Sequence, residues 1–194
     1  MKQINKIGFF LFLILFTLST TCKADILDSL LNILKEQKSD TNKIKTLIDI
    51  GWEYSYTNVK QIEPYAKLAL SLSEKLNYTE GKAQAYNLIG IANRSISNYS
   101  KAIDYFKKAL QIRLQLNEVE KQAKVYVNLA NVYLDLTNYS QADRYYNIAI
   151  EKAKLVNAVN IQLVALTNLS AVHQNLGDYS KSLDCLLQAL QINK

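Results

Sequence analysis

Few residues in this 194-residue chain have the types and spacing that covalent or metal chemistry needs. His173 is the only histidine, Cys22 and Cys185 are the only cysteines, and there is no Gly-x-Ser-x-Gly, phosphate-binding glycine loop or Cys/His cluster. A metal site needs several converging ligands, so a single histidine points to packing or groove lining. Acidic residues such as Glu118 and Glu120 alternate with Lys121 and Lys124, the pattern of solvated helix faces. No catalytic, metal-binding or cofactor-binding residue is assigned, and no enzymatic activity is expected. What remains is recognition chemistry, carried by carboxamides that donate and accept together and by lysines that attract carboxylates.

The elements that hold these residues recur every forty positions. Asn98-Tyr99-Ser100 returns as Asn138-Tyr139-Ser140 and as Asp178-Tyr179-Ser180. Tyr86, Tyr126 and Leu166 form one column, Ile89, Leu129 and Leu169 the next, then Gly90, Ala130 and Ser170. After the turn come Ala102, Ala142 and Ser182, then Phe106, Tyr146 and Leu186, then Ala109, Ala149 and Ala189, then Leu110, Ile150 and Leu190. Within each half the apolar residues follow the i, i+3, i+4, i+7 spacing of one helix face. One proline and five glycines leave helix interiors little interrupted. Each unit is therefore two helices and a tight turn, and the chain is an all-α array whose units bury their apolar faces against one another. Asn98, Asn138 and Asp178 are suited to cap the second helix, with Tyr99, Tyr139 and Tyr179 as plugs beside the corner.

First-helix residues that point away from the second-helix layer form the candidate groove. They are Gln84, Asn87 and Ile91, then Lys124, Asn128 and Asn131, then Thr167, Asn168 and Ala171. The tyrosines are mostly packing residues at repeat columns, with Tyr54, Tyr56 and Tyr133 the ones expected to face outward.

Small residues on both helices, an aromatic between them and an Asn/Asp-Tyr corner together resemble the tetratricopeptide repeat. The period exceeds the usual 34 residues of that family by about six, or roughly one and a half helical turns. The resemblance covers residues 83 to 194 and implies a right-handed α-solenoid of helix-turn-helix repeats that binds protein or peptide. Some members of the family clamp a C-terminal carboxylate with paired lysines and asparagines. Lys124 and Asn128 match part of that pattern, whereas Asn87 and Val127 stand where a clamp lysine would.

The units divide as 83–122, 123–162 and 163–194, with a degenerate unit at 43–82 in which Tyr65, Ala69 and Leu70 keep register and Pro64 enters the second helix early. Residues 25–42 form a cap helix and linker. Asp28-Ser29-Leu30-Leu31 and Gly51-Trp52-Glu53-Tyr54-Ser55-Tyr56 also resemble the exported N-terminal repeat region of bacterial sensor histidine kinases and regulators. That likeness implies a sensory or interaction module.

Residues 1–24 have the order of a secretory signal peptide: Lys2 and Lys6, the apolar run Ile7 to Leu18, then a small polar stretch ending at Ala24. Two alternatives stay open, lipidation of Cys22 and an uncleaved anchor. All three place the array outside the cytoplasm, in the periplasm or envelope. Removing this leader takes three lysines and no acid, which lowers the net charge from +6 to +3. No dense basic stripe remains, so nucleic acid is not expected as a partner. Membrane contact is expected only through the leader or a further downstream segment. In the last helix Leu183, Leu186, Leu187 and Leu190 form an apolar face with no following helix to cover it, a candidate end interface for self-association or for more chain.

Overall fold

A computed structural model describes residues 26–192; the leader at 1–24 lies outside the described residues. Helix α1 spans residues 26–36. It is followed by α2 (Thr41–Thr57), a short 3-10 turn (Val59–Gln61), α3 (Ile62–Lys75), α4 (Thr79–Ser95) and α5 (Tyr99–Gln115). Then come α6 (Val119–Asp135), α7 (Tyr139–Leu155), α8 (Val159–Asn175) and α9 (Tyr179–Ile192). No strand occurs among the described residues, and none of their helices is long and apolar enough to cross a membrane.

From α2 onward each helix packs on its chain neighbours, and α2, α4, α6 and α8 also touch in series. The second helices α3, α5, α7 and α9 do not touch one another. A layer whose members meet lies on the shorter arc, so the first helices line the inner face of the solenoid. The unit boundaries read at 82/83, 122/123 and 162/163 fall inside the first turns of α4, α6 and α8.

The turns show a regularity finer than the forty-residue repeat. Asn77, Ser97, Asn117, Thr137, Asn157 and Gly177 all adopt positive φ, between 52° and 75°, one every twenty residues. At each, the following N–H donates to a carbonyl five residues back, as Asn98 does to Asn93 and Glu118 to Arg113, at 2.8–3.1 Å. These are Schellman C-caps. Turns within units and turns between units are thus the same device. Only one of the six is glycine, and the β-branched Thr137 tolerates this conformation least well.

Pro64 is the third residue of α3, where its missing N–H has no carbonyl to meet. The expected caps are only partly made. Asn138 accepts from the Gln141 N–H and Asp178 from the Lys181 N–H, both at 3.2 Å, but Asn98 makes no side-chain cap. The corner tyrosines are not uniform plugs either. Tyr99 and Tyr139 are half-buried, while Tyr179 is 73% exposed because no later unit lies beside it among the described residues. Among the described residues the fully buried aromatic rings are Phe106 and Tyr146.

Gly90, Ala130, Ala102, Ala142, Ala109 and Ala149 are fully or almost fully buried, and Ala189 partly. At Gly90 an added Cβ would lie 2.6–2.7 Å from Phe106 ring atoms, so the glycine makes room for the ring. Forty residues earlier the sizes are reversed: Ile50 and Ala66, both fully buried, occupy the same two columns. Volume is shared between partners across the helix pair, not prescribed at either position.

Candidate binding groove

The inner face opens into a trough of about 700 Å³ over α2, α4 and α6. Lys45, Asp49 and Trp52 from α2, Gln84 and Asn87 from α4, and Lys121 and Lys124 from α6 line it. Trp52 is partly exposed, offering an aromatic surface beside Lys45 and Asp49. Burial, with Glu53 nearby, raises the Asp49 carboxyl above its ordinary range.

The three α2 residues were not among the candidates read from sequence. Their columns hold Val125 and Ala165, Leu129 and Leu169, Val132 and Val172, all buried where an inner helix meets the preceding unit. Lysine, aspartate and an exposed tryptophan stand in those columns where, among the described residues, no preceding repeat covers this side of α2. That substitution pattern was the available signal.

The wall of the trough carries a charge cluster centred on a buried arginine. Arg113 is 4% exposed, in a column otherwise held by Ser73 and Ala153. Its Nη1 donates to both Glu80 and Glu118, and Lys121 Nζ donates to the same two carboxylates at 2.7 Å. Gln122 Nε2 caps the Arg113 carbonyl at 3.0 Å. The cluster ties the start of α4, the end of α5 and the start of α6 into one unit. Burial pushes the Glu118 carboxyl up, yet hydrogen bonds from Lys121 and Arg113 hold it below its ordinary value. Burial likewise opposes charge on Lys121, and the same carboxylates keep it protonated above its usual range. For Glu118 the expectation of a solvated acid is corrected here, because spacing along one helix gave no sign of Arg113 arriving from another; Glu120 and Lys124 are exposed and paired to each other as a solvated face requires.

The remaining candidates separate into three groups. Gln84 and Asn87 lie in the trough beside Lys124, with Gln84 donating to Glu80 at 2.8 Å and Lys124 paired to exposed Glu120 at 2.7 Å. Asn128 donates to Asn87 at 2.9 Å and Asn168 to Asn131 at 3.0 Å, so carboxamides bridge successive inner helices. Asn131 also accepts from the buried Tyr146 hydroxyl, whose pKa burial pushes up to about 12. Thr167 is exposed and bonded to its own helix, while Ile91 packs against the core and is not a groove residue. Of the tyrosines expected outside, Tyr56 is exposed, but Tyr54 stacks on Tyr65 at 5.3 Å and Tyr133 on Tyr145 at 5.4 Å.

A second hollow of about 500 Å³ between α7 and α9 holds His173 and Cys185. His173 Nε2 lies 3.4 Å from Asp143 Oδ1. Burial first, then Asp143 and Asp184, raise the Cys185 pKa, which keeps it a thiol and a weak nucleophile. Among the described residues no three His, Cys, Asp or Glu side chains converge to hold a metal.

Family models described as tetratricopeptide repeat match residues 121–194 and 83–113. The chain is a tetratricopeptide-repeat protein. Among solved structures this repeat protein is similar to a Rap protein complexed with Competence and Sporulation Factor, at 18% identity and a TM-score of 0.82, covering 92% of this chain and 51% of that one. It is similar to aspartyl phosphate phosphatase F from Bacillus subtilis, at 17% identity and 0.78, covering 88% and 48%. The nearly identical repeats of a putative kinesin light chain from Podosopora anserina align at 12% identity and 0.69, covering 90% and 88%. At these identities the likeness is one of fold. The tetratricopeptide array spans about half the length of the first two. No curated protein matches it significantly in sequence.

Proposed function

We propose that this tetratricopeptide array is a noncatalytic scaffold that holds an extended peptide segment of a partner protein in the α2–α4–α6 trough. The observation that carries this reading is the trough itself, about 700 Å³ and open, with an aromatic face at Trp52 and amide and ammonium groups on successive helices. Carboxamides match the alternating donors and acceptors of a peptide backbone, and Trp52 accepts an apolar side chain. The Rap structure, solved with Competence and Sporulation Factor, supports the fold's suitability for such a ligand.

The test is capture from a peptide array. Gln84→Ala, Lys124→Ala and Asn128→Ala together are expected to weaken binding at least tenfold, about 1.4 kcal/mol, with unchanged helical circular dichroism. Unchanged binding would move the site elsewhere. Asn131 is left intact in this test because removing it would strand the buried Tyr146 hydroxyl and confuse folding with binding.

The leader supports export, and with it a place in the envelope as the sensory or interaction part of a signalling protein. Expression in a bacterium is expected to yield envelope-localised chain beginning at Asp25, as read by N-terminal sequencing. Chain retained in the cytoplasm with Met1 intact would remove the envelope reading.

A further inference from the structure

One column of second-helix tyrosines breaks off between the third and fourth units. Tyr65, Tyr105 and Tyr145 share that column, and each ring lies against another tyrosine. Tyr65 meets Tyr54 at 5.3 Å, Tyr105 meets Tyr86 at 6.0 Å, and Tyr145 meets both Tyr126 at 6.1 Å and Tyr133 at 5.4 Å. Forty residues after Tyr145 the column holds Cys185, and the columns of Tyr126 and Tyr133 hold Leu166 and His173. A leucine, an imidazole and a thiol thus replace three phenol rings, and the hollow of about 500 Å³ between α7 and α9 lies over these residues. Its walls are α7, α8 and α9 alone. The matching tyrosines on α6 and α7 stay partly exposed with α8 and α9 in place, so stacking of a further repeat does not take up this space.

The lining suits a flat ring with a hydrogen-bonding substituent. Ile150, Leu166 and Leu169, each at most 5% exposed, supply the apolar part. His173, itself buried, puts an aromatic ring in the column of Tyr133, which stacks on Tyr145 one unit earlier. Asp143, 3.4 Å from His173 Nε2, and Gln188 offer acceptors and a donor to a hydroxyl. Small-molecule sites usually have about 300–1,000 Å³, and a cavity of roughly 150 Å³ already binds benzene, so this hollow has room for a ring and its substituents. We propose that it binds a small phenol, the ring taking the position that the Tyr145 side chain holds one unit earlier. The site shares no residue with the α2–α4–α6 trough and is independent of peptide binding there.

The probe is p-cresol, which is the tyrosine side chain as a free molecule. The reporter is the His173 imidazole, whose proton signals are unique because the chain has no other histidine. In NMR titrations of the full chain p-cresol is expected to shift these signals saturably. The alcohol 4-methylcyclohexanol carries the same substituents on a ring that is not flat and is expected to bind about tenfold more weakly, or less. Cys185→Tyr gives this column the side chain it has in every earlier unit, and is expected to abolish the response at unchanged helical circular dichroism. Cys185→Ala leaves the hollow open and is expected to keep it. No saturable shift up to the solubility of p-cresol would overturn the proposal, as would equal binding of 4-methylcyclohexanol or a response that survives Cys185→Tyr. Should Cys185→Tyr fail to fold, nuclear Overhauser contacts from the cresol ring to the Leu166 methyls locate the ligand in the unsubstituted chain; binding without those contacts would overturn the site. The peptide acetyl-Gly-Tyr-Gly-amide is expected to bind more weakly than p-cresol, and tighter binding would overturn the small-molecule assignment in favour of a partner protein's tyrosine.

Discussion

Gly90→Ile is expected to destabilise the array by about 1–3 kcal/mol or more through overpacking, and Phe106→Ala by about 3–5 kcal/mol through a cavity, yet together they should cost far less than the sum. A Cβ at Gly90 would already meet the Phe106 ring at 2.6 Å, so a branched side chain cannot enter while the ring is present. With the ring gone, the space matches the first unit, where Ile50 and Ala66 fill the same columns and are fully buried. The double variant copies a pairing that the protein already uses. Urea unfolding of the four proteins in a double-mutant cycle measures the coupling, expected to be at the upper end of the roughly 0.5–3 kcal/mol seen for contacting residues. Additive costs would mean that the two positions do not share one volume.

Arg113→Met is expected to cost about 3–5 kcal/mol near neutral pH, since removing one partner of a buried ion pair leaves the others uncompensated. Glu118 would keep Lys121, Glu80 would keep Lys121 and Gln84, and Gln122 would still hold the backbone carbonyl. The cost should depend on pH in a defined direction. In the unsubstituted protein Glu118 is held below its ordinary value of 4.5, so its contribution is complete above that value and is lost as pH falls through the lower folded value. In Arg113→Met the same carboxyl is buried with less to oppose desolvation, and protonation relieves it. The stability gap between the two proteins is therefore expected to be largest near pH 7 and to narrow toward about pH 3. A gap of equal size at both pH values in urea melts would assign the role of Arg113 to its aliphatic stem and not to its charge.

Much of the architecture was legible because repetition makes a sequence its own comparison. Columns such as Ile89, Leu129 and Leu169 reveal which face is buried without any structure, since a helix face in a stack must stay apolar in every unit. The groove was legible in part. Gln84, Asn87 and Lys124 lie in the trough, but Ile91 is packed in the core and Lys45, Asp49 and Trp52 were absent from the reading. Those three were missed because no repeat precedes the first unit among the described residues, and a column rule derived from interior repeats fails at an edge. The Arg113 cluster was missed for a different reason. Glu80, Arg113 and Lys121 are separated by 33 and 41 residues in their mutual contacts, and helix spacing describes neighbours only within about four residues.

Helical periodicity, the forty-residue recurrence and the pattern of small and large residues by themselves determined an all-α solenoid and the positions of its corners. Such features are local or repeated, so each unit carries the information independently. Three things were decided only by tertiary structure: that Gly90 yields its volume to Phe106, that an arginine can occupy a buried column normally held by serine or alanine, and that α2 opens its outer columns into the trough. Each depends on which atoms of distant segments arrive in the same space. Close packing and charge desolvation act on that arrangement, and neither is a property of any one helix.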